Sequence, residues 1–279
     1  MDLRIVVDGD ADIPEELEDK VVYVPQYVIY DGISYRATRE MILRDMESFL
    51  DPDKLSTSMP SAQDFLDALN KLKYPALAIH VSSGISSTYR SIKAAAEVAS
   101  VLDKLYMFDT KTAASGIGVY VYFAYSMLRK GHNVEEVYDM LVALRDNEKE
   151  KTYAVVGDIR FALHGRRVNG LVVAAAKAMR FVVVVSPDDE GYLQVIYKTM
   201  GRKKALRYLV EKTINRLKNA KKPIVGISHA WAERDADMIA KTLKQERPDA
   251  YMFVTYMNPT LVAHGGKGTL AVSVLDADV

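Results

Sequence analysis

The succession of periodicities in the first half of the chain leaves few folds open. Leu3–Val7, Ala76–Val81 and Lys104–Phe108 are short, continuous apolar runs of strand character. Between and after them lie helical patterns. Phe65, Leu66, Leu69 and Leu72 repeat at helical spacing behind a Ser61-Ala62-Gln63-Asp64 capped start. A second pattern runs from the Ser82–Ser87 loop to about Leu102. A third spans Ala113–Arg129 and closes at Gly131, and Asn133 caps a fourth carrying Val137, Met140, Leu141 and Leu144. A strand returned to its own sheet through a helix lies parallel to its predecessor, so this half reads as a parallel sheet with helices on its faces.

Val21–Tyr30 reads as one alternating strand, turned at Asp31-Gly32 into Ile33–Arg36, and Thr38 then caps a helix to about Leu50. Beyond the highly charged Arg145–Lys151 segment the rhythm changes. Six strand candidates follow: Thr152–Val156, Phe181–Ser186, Tyr192–Tyr197, Pro223–Ser228, Tyr251–Thr255 and Thr269–Val274. Pro187-Asp188-Asp189-Glu190-Gly191 is too short for a crossover, so the strands beside it are antiparallel. The expectation is a two-domain α/β protein. Residues 1–150 form a parallel-sheet domain, and residues 151–279 a domain with a mostly antiparallel six-stranded sheet.

Composition removes several function classes. The chain has no cysteine, which excludes disulfides, thiolate metal sites and a cysteine nucleophile. Lys plus Arg and Asp plus Glu are 37 each, so nothing in the total charge argues for nucleic acid or a membrane surface as the main partner. The N-terminus runs straight into a strand pattern without a signal-peptide profile, and no apolar run is long enough to span a bilayer; a cytoplasmic protein without integral membrane association is expected. Charge is uneven locally. Lys198–Lys222 holds ten bases against Glu211 alone, which reads as the solvated face of a helix or, second, as a docking face for an acidic partner.

No phosphate loop, His-Glu-x-x-His or Gly-x-Ser-x-Gly is present, and Gly116-x-Gly118 inside a helical run reads as close packing. Asp8, Asp10 and Asp12 alternate as a cation site would, but lie where Asp serves turns and caps, so no metal or cofactor is expected. Hydroxyls stand out instead. Ser56-Thr57-Ser58-Met59-Pro60-Ser61 and Ser82-Ser83-Gly84-Ile85-Ser86-Ser87-Thr88-Tyr89 read as loops before helices, where backbone N–H groups and hydroxyls together suit a carboxylate or phosphate. His264, among Gly265, Gly266 and Gly268, reads as a loop histidine able to donate to an oxyanion. His80 and His229 read as core or edge histidines and His132 as structural. His164, beside Gly165-Arg166-Arg167, is open to either reading.

In their order along the chain these clusters resemble the DegV family of fatty-acid-binding proteins. Asp8-Gly9-Asp10-Ala11-Asp12-Ile13-Pro14 is similar to the family's opening motif. Thr57-Ser58-Met59-Pro60-Ser61, Ser82–Tyr89, Gly165-Arg166-Arg167-Val168 and His264-Gly265-Gly266-Lys267-Gly268 resemble later ones. Ser87, Arg166 and Lys267 depart from the family's Gly, Gly and Pro. The resemblance implies a long-chain fatty acid between the two domains, its acyl chain in an apolar tunnel. Thr57, Ser58, Ser86 and His264 would hold its carboxylate, with Arg167 helping and Ser83, Ser87 and Gly265 as supporting loop residues. It implies a carrier that performs no chemistry and presents the carboxylate to a separate fatty acid kinase. The competing expectation from the residues is an acyl or phosphoryl hydrolase or transferase, with Ser86 as nucleophile and His264 as base.

Overall fold

The computed structural model describes residues 3–44, 46–49, 51–165 and 181–279. Its first sheet is the expected parallel one. Strands β1 (Ile5–Asp8), β2 (Val22–Val24), β6 (Ala76–His80) and β7 (Leu105–Asp109) lie in the order β2-β1-β6-β7, all parallel. Alternate residues of a strand face opposite ways. Val6, Ala76 and Ala78 therefore pack under helices α2 (Ala62–Leu69) and α3 (Thr88–Val98), whereas Ile5, Val7, Leu77 and Ile79 pack under α4 (Ser115–Arg129) and α5 (Val134–Asp146). Ser61 and Asn133 each close a reciprocal cap, with Asp64 and Glu136 as partners.

The run Val21–Tyr30 is not one strand. Pro25 has no N–H to continue a ladder, and Gln26 O instead accepts Ala37 N at 2.9 Å. The chain leaves the parallel sheet there. It enters a separate antiparallel sheet of order β4-β3-β5, made of β3 (Tyr27–Tyr30), β4 (Ile33–Arg36) and β5 (Leu55–Ser58). The expected helix to Leu50 is also shorter: α1 covers Arg39–Arg44, a tighter turn follows at Met46–Ser48, and Leu50 lies outside the described residues.

All six strands expected in the second half are present as β8 (Glu150–Val155), β9 (Val182–Pro187), β10 (Leu193–Thr199), β11 (Pro223–His229), β12 (Tyr251–Tyr256) and β13 (Leu270–Asp276). Their order is β10-β9-β8-β13-β11-β12, and only β11 with β12 is parallel. Helices α7 (Arg202–Asn219) and α8 (Glu233–Glu246) cover one face, packing on Val225, Ile227, Val272 and Val274. The basic stretch is the outer face of α7, where Lys203, Lys204 and Arg207 are exposed. The short α6 (Ile159–Gly165) follows β8, and α9 (Pro259–Gly265) precedes β13.

Helix α4 touches both large sheets. Ile117, Tyr120, Val121 and Phe123 share a core with Leu77 and Ile79 on one side and with Ile224, Phe253 and Leu275 on the other. Its start is close-packed: a Cβ on Gly118 would lie 2.1 Å from Asp12 O. Just before it, Ala114 has φ 58 and ψ −135, a conformation that only glycine adopts without strain. Ala114 N donates to Asp10 O at 3.0 Å and its carbonyl accepts Asp12 N at 3.2 Å, so the strained residue clamps the loop after β1. Two opposite outcomes are expected in denaturant titrations. Ala114→Gly releases strain and raises stability by about 1 kcal/mol after the entropy of the added glycine is subtracted. Gly118→Ala drives a methyl into a carbonyl and costs more than about 3 kcal/mol.

Candidate functional site

Strand alternation decides which hydroxyls of the first cluster face inward. Ser56-Thr57-Ser58, expected as a loop, belongs to β5, where Leu55 and Thr57 turn toward the core while Ser56 and Ser58 are exposed. Leu55 joins Val28, Met46, Phe161, Val262 and Ala263 in an apolar cluster. Beside it Thr57 Oγ1 lies 3.0 Å from His264 Nε2, a contact between residues 207 apart in sequence. Ser58 points the other way and its hydroxyl donates to Met59 O at 3.3 Å.

His264 is not in a loop either. It occupies the last turn of α9, whose sequence carries start and stop signals at both ends: Asn258 caps it, Pro259 is its first residue and Gly266 follows with φ 75. Helix α6 packs against α9 and ends on Gly165. A Cβ there would lie 2.4 Å from His264 Nδ1, so the glycine makes room for the imidazole. Gly265 O accepts the N–H groups of Gly157 at 3.1 Å and Asp158 at 2.9 Å, which ties the end of α9 to the end of β8. The imidazole is thereby held between α6 and β5.

The second hydroxyl cluster divides its work. Ser82 Oγ donates to Gly191 O at 2.9 Å, joining this loop to the β9–β10 turn. Ser83 is exposed and fastened to Asp109, whose carboxylate accepts its hydroxyl at 2.6 Å and its N–H at 3.1 Å. Ser86 is half-buried at the start of α3, its Oγ 2.8 Å from Thr88 Oγ1 and accepting Thr88 N at 3.3 Å. Ser87 is exposed and makes no side-chain cap. The start of α3 is drawn to the end of β5 by Ser91, whose hydroxyl meets Met59 Sδ at 3.8 Å. Of the residues expected at the head group, Thr57 and His264 are brought into contact, Ser86 turns to Thr88, and Ser58 faces away. Arg167 lies outside the described residues.

What the sequence reading missed is the reach of the acidic opening segment. Asp8, Asp10 and Asp12 are 0%, 6% and 3% exposed. Asp8 does serve a turn, accepting Asp10 N at 3.0 Å, and also accepts Val81 N at 2.8 Å. The other two reach across to the second half of the chain. Asp12 Oδ1 accepts Asn258 N at 2.8 Å, and Asp10 Oδ1 accepts the Thr260 hydroxyl at 2.8 Å while its Oδ2 accepts Gln26 Nε2 at 2.5 Å. Burial pushes the Asp8 carboxyl up to about 8, with the Asp10 carboxylate adding to the rise. Burial likewise pushes Asp12 up to about 7, against the lowering effect of the Ser228 hydroxyl and the Asn258 N–H. Among the described residues no cluster of three or more His, Asp or Glu is placed to hold a metal ion. No described helix is long and apolar enough to cross a membrane.

His80, at the end of β6, is buried with Nδ1 2.8 Å from Val81 O, and burial lowers its pKa. His229 is buried at the end of β11, where burial lowers it too. His132 is a half-buried neighbour of Glu136 at 3.4 Å, and His164 falls in the last turn of α6.

A family model described as "Uncharacterised protein, DegV family" matches residues 2–277. A DegV domain-containing protein of Clostridium perfringens is 25% identical over 289 residues, covering 97% of this chain and 96% of that one. A Thermotoga maritima protein whose structure is said to reveal a fatty acid binding function is 27% identical, with TM-score 0.84 over 99% of each chain. A second Thermotoga maritima structure, of a DegV lipid binding protein, is 26% identical with TM-score 0.82, over 99% of this chain and 98% of that one.

The two raised carboxyls set the sign of a pH effect. An acid whose pKa is higher folded than unfolded favours the folded state below its unfolded value, and that contribution is lost as pH rises through the folded value. Between pH 6 and pH 8 thermal stability should therefore fall with rising pH, by up to about 1.4 kcal/mol per pH unit for each group. Asp12→Asn, which keeps an acceptor for Asn258 N, should flatten the slope relative to wild type in melts followed by circular dichroism. An unchanged slope would mean Asp12 is ionised throughout.

Proposed function

The chain belongs to the DegV family, and from that premise we propose that it is a binding protein for a long-chain fatty acid that performs no chemistry on it. The observation that carries this reading is the 3.0 Å contact of Thr57 with His264. It joins β5 to α9 at the edge of an apolar cluster, in a chain that matches a fatty-acid-binding Thermotoga maritima protein along 99% of its length.

The chemistry is suited to an amphiphile. An anion removed from water needs donors on its oxygens, and a full counter-charge is not the only source. Thr57, Ser86, His264 and the N–H groups at the start of α3 are donors of that kind, and Arg167 is the further residue that the family resemblance adds. Ser58, on the opposite face of β5, is proposed to shape the strand. Ser83, Ser87 and Gly265 support the loops, Ser83 through Asp109 and Gly265 through the end of β8. The acyl chain supplies affinity. About fourteen methylenes at ~0.8 kcal/mol each give roughly 11 kcal/mol of gross driving force, from which ordering and lost translation subtract several.

We place the division between the two units near residue 150, where β8 begins, with the acyl chain running between them. A kinase that takes the carboxylate is the partner the family resemblance adds, with the carrier in the cytoplasm. The enzymatic alternative asks for Ser86 hydrogen-bonded to His264. The hydroxyl at His264 Nε2 is that of Thr57, and Ser86 is turned to Thr88.

The test is mass spectrometry of the organic extract of protein purified without detergent, beside native mass spectrometry. One fatty acid per chain is expected in the wild type. Removing two head-group hydrogen bonds in the Ser86→Ala, His264→Ala variant should lower affinity at least ~10-fold. An empty wild-type protein that also refuses added palmitate and oleate would overturn the carrier reading. Turnover of a p-nitrophenyl ester abolished by Ser86→Ala would replace it with the enzymatic one.

A further inference from the structure

We propose, on the reading of Thr57 and His264 as the head-group site, that Asp10 and Asp12 are positioning residues: they hold the start of α9, and through it fix where His264 meets Thr57. Helix α9 is seven residues long, so a movement of its first turn is a movement of its last. Its own cap, Asn258, is fastened through its backbone N–H to Asp12 Oδ1 at 2.8 Å. Two residues further in, within the first turn, the Thr260 hydroxyl donates to Asp10 Oδ1 at 2.8 Å. The Asn258 side chain also donates to the Tyr23 hydroxyl, which in turn donates to Gly9 O at 3.1 Å. These bonds tie the start of α9 to the segment just after β1, directly or through Tyr23 of β2, while its last residue, Gly265, is tied to the end of β8.

That segment is itself fixed from three sides. Ala114 clamps Asp10 and Asp12 through their backbones in a strained conformation. Gly118 lets the Asp12 carbonyl seat against α4, where a Cβ would lie 2.1 Å from it. Gln26 donates to Asp10 Oδ2 at 2.5 Å. A loop held this firmly has little freedom to follow α9, so α9 must follow the loop. The N–H and O–H groups named here meet oxygens of these buried acids in fixed directions, which is how a carboxyl group sets geometry.

A helix that merely packed well would need no such pair of acceptors, and the two roles separate experimentally. Thr260→Val removes one hydroxyl without changing shape, and Asp12→Asn removes the ionisable group while keeping an acceptor. Both are compared with His264→Ala. The first readout needs no ligand: the ring nitrogen shifts and titration of His264 by NMR in the lipid-free protein. Thr260→Val should move them, and its shift and that of Asp12→Asn should go in the same direction. The second readout is the preference for palmitate over methyl palmitate, which has the same chain without an ionisable head. Thr260→Val should lower palmitate affinity about 10-fold, leave the ester unchanged, and add no further loss in a His264→Ala background. Unmoved His264 resonances, or equal losses for acid and ester, would show a general packing role and overturn the assignment of Asp10 and Asp12. If His264→Ala itself leaves palmitate binding intact while Thr260→Val still moves the resonances, the head-group reading fails and the positioning of His264 stands.

Discussion

Ser115–Arg129 carries apolar side chains around most of its circumference, and a helix of that kind has no full face to give to water. It must be covered on two sides, and the two sheets supply the cover. Leu77 and Ile79 of the parallel sheet meet one side of α4, and Ile224, Phe253 and Leu275 of the six-stranded sheet meet the other. The polar groups at its start are satisfied across the join. The Ser115 hydroxyl lies 2.8 Å from that of Ser273, which lies 2.6 Å from Thr152, and Thr112 donates to Thr152 at 3.1 Å. A buried polar seam tolerates no missing partner, so it fixes the register of α4 over the sheet. With α4 shared, the ends of β1 and β6 come to lie against elements of the other half: Asp12 against Asn258, and Ser82 against Gly191. Loops beyond the carboxyl ends of parallel strands are where open α/β sheets bind ligands, and both the acidic segment and the hydroxyl loop are such loops.

Much of this architecture is written locally. Apolar runs and helical spacings gave the parallel sheet, and the six later strands could be named within a few residues, because each is a short buried run bounded by turn residues. Where reading failed, a local signal was outweighed. Val21–Tyr30 reads as one strand, yet Pro25 ends one ladder and the chain begins another in a different sheet. Ser56-Thr57-Ser58 has weak strand propensity and stands before Pro60, but pairs with Ile29, Val28 and Tyr27 because Leu55 and Thr57 complete an inward face. Around His264 three glycines suggested a loop, though Asn258-Pro259 and Gly266 mark the two ends of a helix.

The site was legible as residue types and not as contacts. Thr57 and His264 lie 207 residues apart, and no periodicity reports such a distance. Nor does alternation along a strand become usable until the strand is recognised, and so Thr57 and Ser58 looked equivalent. The acids show the same limit. Asp8, Asp10 and Asp12 do serve turns, as Asp commonly does, and nothing in one sequence distinguishes an Asp that serves its own loop from one that also fastens a helix more than two hundred residues away.

In the proposed head-group site, Thr57 has an advantage over its neighbouring serines that is intrinsic to its shape. A β-branched side chain in a strand has few χ1 states open to it, so its hydroxyl stays where the backbone of β5 puts it. Inward neighbours such as Leu55 restrict it further. His264 is held similarly: the absent side chain of Gly165 leaves a slot in which Nδ1 would sit 2.4 Å from any added Cβ. Two polar groups set in place before a ligand arrives lose little freedom when it binds, so more of the interaction appears as affinity and direction. A nucleophile and base would need the same rigidity, but with the proton path running from Ser86 to the imidazole. Here the imidazole shares its Nε2 contact with a strand threonine, which in the proposed carrier would orient a head group rather than activate Ser86.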